Sequence, residues 1–235
     1  MSVIDIARRT LCGALVTAAV LTAAFASPAE AATDPPPASE TEAPVGEPLL
    51  FLGDSLCVGA RDHGGGLTGA LRGVGWEPEF ICGSGEGLVW GISEVRDLDS
   101  VPATVVVALG TNPSPRDPEF EDLASDLREE LTERGAQRIL WVDFASERRS
   151  YEDKNAVLHD LARGAGDGVV RWSVLVDEHP EWYRSDGLHY QELGMRQWAR
   201  RIADESARLR FDPVPGLDAA IDLVTSSFDV GRCCR

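Results

Sequence analysis

Between Glu47 and about Arg210, short apolar runs alternate with longer amphipathic stretches, and this alternation limits the fold more than any other feature of the chain. Leu49-Leu50-Phe51-Leu52 is continuously apolar, as a strand buried on both faces is. Phe80-Ile81-Cys82 is a second, weaker run. Thr104 to Leu109 is the clearest, because its consecutive valines suit a pleated, buried surface. Arg138 to Phe144 and Val169 to Trp172 are the fourth and fifth. A helix is predicted from Pro118 to Arg134, with Asp117 at the cap and Pro118 in the first turn. Leu123, Leu127 and Leu131 give it one apolar face, and Gly135 a stop. Tyr151 to Ala165 and Glu192 to Leu209 read similarly. Strands that alternate with helices pair in parallel, so the expected fold class is a three-layer α/β/α sandwich around a five-stranded parallel sheet. In such sheets ligands bind beyond the carboxyl ends of the strands, which singles out the polar residues just after each strand.

The chain has 235 residues, enough for one domain with short appendages, and a net charge of -17 from 22 basic and 39 acidic side chains. Lys154 is the only lysine. This charge argues against a nucleic-acid partner, which needs clustered Lys and Arg, and against docking on an anionic membrane. Residues 1–31 read as an export signal: Arg8-Arg9, an apolar run from Leu11 to Phe25, then Ala29-Glu30-Ala31 as a small-x-small cleavage site, with cleavage expected after Ala31. An uncleaved anchor is the other reading of that short run. Residues 32–47, rich in Pro, Glu, Thr and Ala, read as a disordered linker unable to bury enough surface to offset its ordering entropy. The domain is expected over 48–211, with a C-terminal tail, 212–235, of no assigned role. Beyond the signal no apolar run is long enough for stable membrane insertion. The expectation is therefore a secreted or extracytoplasmic protein. Cys12 lies in the signal, which leaves Cys57, Cys82, Cys233 and Cys234. Cys57 and Cys82 each closely follow a predicted strand, so a bridge between them and two buried free thiols are both open.

Gly53-Asp54-Ser55-Leu56-Cys57-Val58-Gly59 follows the first strand. A serine at a strand-to-helix turn exposes its hydroxyl at the ligand edge and aims its N–H into the same pocket. A helix N-cap is the other reading of Ser55. Gly110-Thr111-Asn112 follows the third strand; Asn112 could donate to an oxyanion or simply occupy a turn. Gly83-Ser84-Gly85-Glu86-Gly87 follows the second strand and is a poor dinucleotide fingerprint. Asp186 lies three residues ahead of His189 with Gly187 between, so its carboxylate can fold back onto the imidazole and fix the Nδ1–H tautomer. His63, His159 and His179 read as surface or capping residues. Trp90, Trp182 and Tyr183 fall near the site loops, where they could stack on a sugar, line an acyl pocket or simply pack.

In this order the blocks resemble the SGNH (GDSL-type) hydrolases: G-D-S-L-x-x-G at Gly53–Gly59, G-x-N at Gly110–Asn112 and D-x-x-H at Asp186–His189. The resemblance runs from about Leu49 to Ala203. It implies a flavodoxin-like five-stranded sheet, Ser55 as nucleophile, His189 as base and Asp186 as its orienter. It also implies an oxyanion hole of the Ser55 N–H, a glycine N–H (Gly85, with Gly83 in reserve) and Asn112. No cofactor or metal is implied. Pro113 departs from the G-x-N-D of many members, and G-T-N with His179-Pro180-Glu181-Trp182 looks more like the SGNH domains of bacterial cell-wall O-acetyltransferases. The expected activity is hydrolysis of short-chain, acetyl-like esters of a small molecule or glycan; the alternative is O-acyl transfer to a cell-wall or other extracellular glycan.

Overall fold

The computed structural model describes residues 46–112 and 120–210. The predicted signal, linker residues 32–45, Pro113, the helix start at Asp117 and Pro118, and the tail with Cys233 and Cys234 lie outside the described residues. The apolar runs become β1 (Glu47–Gly53), β2 (Trp76–Cys82), β3 (Thr104–Ala108), β4 (Arg138–Val142) and β5 (Gly168–Val170). All pair in parallel, in the order β2-β1-β3-β4-β5. β1 opens at Glu47, whose N–H donates to Gly75 C=O at 3.0 Å, so the first strand takes in the last residue assigned to the linker.

Side chains of a strand alternate between faces, and here both faces are covered. Leu49, Phe51, Val106 and Leu140 face one layer, formed by α1 (Ser55–Asp62), α2 (Leu67–Gly73), α6 (Trp172–Val176) and α7 (Glu192–Leu209). Leu50, Leu52, Val105, Val107 and Trp141 face the other, formed by α3 (Leu88–Arg96), α4 (Phe120–Glu133) and α5 (Glu152–Ala165). Phe51 is fully buried, and truncating such a ring to Ala costs about 3–5 kcal/mol. The leucine stripe of α4 is buried as its spacing predicts: Leu127 and Leu131 have no exposed surface. Helices α2, α3 and α6 are too short for their period to stand out in the sequence.

The fourth run ends sooner than predicted, because Asp143 leaves the strand to serve as a buried acceptor. Its carboxylate accepts Ser173 N–H and Ser173 Oγ–H, each at 2.7 Å, and lies 3.3 Å from His159 Nε2. His159 is thus packed against the interior, which corrects its reading as a surface histidine.

Chain order reverses at β1: β2 lies on one side of it and β3, β4 and β5 on the other. Two connections therefore leave the carboxyl ends of β1 and β3 in opposite senses and open a crevice between them. The G-D-S-L and G-T-N blocks meet there.

Candidate active site

The turn at Ser55 is built from three adjacent residues with different tasks. Gly53 ends β1 where a Cβ would stand 2.6 Å from Cys57 Cβ, so only glycine lets α1 start this close to the strand. Asp54 is the N-cap of α1, its Oδ1 accepting Leu56 N–H at 2.9 Å. The capping role once open for Ser55 thus falls to its neighbour. Ser55 occupies the first helical position, its N–H in the turn that has no intrahelical acceptor.

The Ser55 hydroxyl meets His189. Ser55 Oγ lies 2.9 Å from His189 Nε2, although the residues are 134 positions apart. His189 Nδ1 lies 2.9 Å from Asp186 Oδ2. An ionised carboxylate only accepts, so Nδ1 carries the proton and Nε2 is left to accept from the serine. Partial burial works against the charge on Asp186. The Leu188 and His189 N–H groups and the His189 ring outweigh it and hold the carboxyl down at about 2. Both backbone bonds are 2.9 Å long.

Of the remaining predicted donors, Asn112 Nδ2 donates to Glu86 C=O at 2.9 Å, which leaves its second amide hydrogen for a ligand. That bond fastens the β3 loop to the glycine-rich loop after β2. Gly83, held in reserve, is committed to the sheet: its N–H donates to Gly53 C=O at 3.1 Å. Gly85 sits in the turn beyond, at φ +81°, a left-handed conformation that a side chain would strain. Cys57 and Cys82 form a disulfide, with Cα atoms 5.9 Å apart, that joins α1 to the end of β2 directly before this loop.

Two residues of the site went unnoticed in the sequence. Asp54 is fully buried, and desolvation pushes its carboxyl up to about 6 despite the hydrogen bonds from Thr111 Oγ1 and Leu56 N–H and the charge of His189. Thr111 bonds Asp54 Oδ2 through its hydroxyl and accepts Tyr151 Oη–H at its own C=O, 2.7 Å away. Both stand just after strands, the positions already marked for scrutiny, but nothing in their spacing tells that they touch.

A cavity of about 150 Å³ opens beside the serine, lined by Leu56, Val58, Gly59 and Met195 with Ser84, His63, Arg184 and His189. His63 is thus exposed, as expected, but at the mouth of the site. A larger hollow of about 620 Å³ lies on α4 and α5. Its lining has the hydroxyls of Ser125 and Thr132 but no histidine to activate them, and its Arg128 is engaged by Asp167, so the smaller cavity, where Ser55 meets His189, is the candidate site. Trp182 and Tyr183 are buried and pack with Trp172 and Tyr190, whereas Trp90 is half-buried against the other layer. Among the described residues no group of three potential ligands could hold a metal ion, and no helix is long and apolar enough to cross a membrane.

The α/β sandwich thus brings a serine, a histidine and an aspartate into line at its switch point. The sheet order and the placement of the blocks are those of the SGNH (GDSL-type) hydrolase fold. The C-terminal catalytic domain of Streptococcus pneumoniae peptidoglycan O-acetyltransferase A superposes with a TM-score of 0.60 at 20% identity, over 72% of this chain and 98% of that one. A Slackia heliotrinireducens protein assigned to the SGNH hydrolases superposes at 0.55 and 15% identity, over 68% and 99%. A carbohydrate esterase family 3 protein from Talaromyces cellulolyticus superposes at 0.53 and 13% identity, over 69% and 97%. No family model and no curated protein matches the sequence.

Proposed function

We propose that the chain is an extracytoplasmic serine esterase that hydrolyses short-chain, acetyl-like esters through an acyl-enzyme. The single observation that carries the reading is the unbroken contact from Ser55 Oγ through His189 to Asp186. His189 Nε2 takes the Ser55 proton as Oγ bonds to the ester carbonyl carbon. The carbonyl oxygen becomes an oxyanion facing the Ser55 N–H, the Gly85 N–H and Asn112 Nδ2, donors of a type worth roughly 3 kcal/mol each in the barrier. The tetrahedral centre expels the alcohol, which leaves with the proton held on His189. Water then attacks the acyl-Ser55 carbonyl, gives a proton to His189, and the collapsing centre releases the carboxylic acid and restores the serine.

Two features favour this version. The cavity of about 150 Å³ suits a small acyl group. The His189 side chain is 34% exposed and that of Asp186 49%, so water has an open path to the acyl-enzyme. The disulfide is in keeping with an oxidising compartment. Transfer of the acyl group to a glycan hydroxyl is the second reading, favoured by the likeness to the O-acetyltransferase domain.

The test is acetyl release from an acetylated glycan and from p-nitrophenyl acetate, with and without an acceptor oligosaccharide, for wild type and Ser55→Ala. Free acetate that disappears with Ser55→Ala supports the esterase. Acetyl recovered mainly on the acceptor replaces it with the transferase. Equal turnover by both proteins overturns the serine mechanism.

A further inference from the structure

The mechanism leaves a fully buried acid, Asp54, and a buried threonine, Thr111, without a task. Asp54 is bonded on both of its carboxylate oxygens, to Leu56 N–H on the nucleophile side and to the Thr111 hydroxyl on the Asn112 side. Asp54 N–H also donates to Ala108 C=O at 3.2 Å, so β1 and β3 stay paired up to the point where the two blocks begin. From the opposite side Tyr151, itself 5% exposed, fixes the Thr111 carbonyl. Thr111 is therefore gripped at its hydroxyl and at its carbonyl, and the next residue is Asn112.

We infer that Asp54 and Thr111 are positioning residues: together they hold the Asn112 amide at a fixed place relative to the Ser55 N–H, so that the oxyanion hole is assembled before substrate arrives. The inference rests on the serine mechanism above and deepens it. A donor preset toward the developing charge needs no rearrangement in the transition state, whereas one that wanders loses most of its effect. Asn112 has no other side-chain tether among the described residues than Glu86 C=O, on a loop that itself turns at Gly85. Without Thr111 Oγ1 the block loses its tie to the nucleophile turn while the rest of the sheet is untouched. The loss falls on the transition state, so it appears in kcat and leaves KM nearly unchanged.

The experiment compares wild type, Thr111→Val, Thr111→Ser, Tyr151→Phe and Ser55→Ala. It measures kcat and KM on p-nitrophenyl acetate, the rate of Ser55 sulfonylation by methanesulfonyl fluoride read by intact mass, and the melting temperature. Thr111→Val is expected to lower kcat and the labelling rate by about 10- to 100-fold, short of the full loss of an oxyanion donor, with KM within about twofold. Thr111→Ser, which keeps the hydroxyl, is expected to stay within about threefold of wild type in both. Tyr151→Phe is expected to fall between them, and it decides the matter if Thr111→Val does not fold. Thr111→Val with wild-type kcat, or Thr111→Ser as slow as Thr111→Val, overturns the inference. Failure of the serine mechanism looks different: wild type and Ser55→Ala then turn over equally, or Ser55 takes no label in the wild type, and the positioning role falls with it.

Discussion

The two halves of the site are held in different ways. The half that carries Ser55, Gly85 and Asn112 is fastened to the sheet by a disulfide, by the buried Asp54–Thr111 bond and by backbone bonds at the ends of β1 and β3. The half that carries Asp186 and His189 is an exposed loop held by its own backbone and by bonds from the segment after β4. Arg184 N–H donates to His189 C=O at 2.7 Å, and Gly187 N–H to Arg184 C=O at 2.9 Å. Gly187 C=O accepts Glu147 N–H and Ser146 Oγ–H, each at 2.8 Å. Tyr190 anchors it deeply: its hydroxyl accepts Trp172 Nε1–H at 2.7 Å, and burial pushes that hydroxyl well above the usual tyrosine range. The difference suits the chemistry proposed for each half. Donors to an oxyanion work best when fixed in a dry wall, whereas a base must exchange protons with the leaving alcohol and with water.

The largest expected effect tests whether the exposed half is separable from stability. Asp186→Asn is expected to lower kcat about 10⁴-fold by permitting the wrong tautomer, against about 10⁶-fold for Ser55→Ala. Both should melt within a few degrees of wild type, because neither side chain supports the core. An Asp186→Asn protein that unfolds would break the contrast.

Next comes the covalent tie. Cys57 and Cys82 are 25 residues apart, so opening that loop is expected to cost about 3 kcal/mol through the unfolded chain. Urea titration of wild type with and without reductant, beside a Cys57→Ala/Cys82→Ala double variant, measures it. A loss under 1 kcal/mol would mean that the sheet alone holds this half together.

Acid titration separates the halves by sign. The Asp54 carboxyl rises from 3.8 to about 6 on folding, so between these values the unfolded chain releases a proton that the fold retains. Asp54 therefore makes stability fall as pH rises from 3.8 to about 6, by up to roughly 3 kcal/mol, with the loss complete above that range. Asp186 moves the other way: its carboxyl is lowered to about 2, so its contribution is present above 3.8 and is lost as pH falls toward 2. Asp54→Asn should abolish the first slope and leave the second. Unchanged slopes in urea midpoints from pH 3 to 7 would show that the buried half carries no such load.

The smallest effect concerns the exposed loop's ties. Ser146→Ala removes one hydrogen bond to Gly187 C=O and should cost about 1 kcal/mol or less, with kcat reduced a few-fold. A larger loss of activity than Asp186→Asn would show that this loop is set from outside rather than by its own turns.

Much of this was legible in the sequence. The three central strands fell where the apolar runs lay, because a strand buried on both faces leaves a continuous run, whereas the edge strand β2 begins four residues before its run, at Trp76-Glu77-Pro78-Glu79, and the edge strand β5 ends at Val170, with Trp172 in α6. The fourth run was read past its end, since nothing in Val142-Asp143-Phe144 tells that the carboxylate turns away to cap α6. That Ser55, Asp186, His189 and Asn112 stand together at the ligand edge was legible, because each lies just after a strand or in the turn before α7. His159 was misread because the partner that buries it lies on another element.

By itself, then, the sequence determined the alternation of strand and helix, the parallel sheet, and which polar residues stand at its carboxyl edge. These follow from local periodicity and from where a strand must stop. Only the tertiary structure decided that Asp54 rather than Ser55 caps α1, that the Gly83 N–H is taken by the sheet, that Cys57 and Cys82 pair, and that Asp54 meets Thr111. All but the first of these depend on the register between β1, β2 and β3. Register is a contact between segments far apart in the chain, and it is settled only when those strands pair.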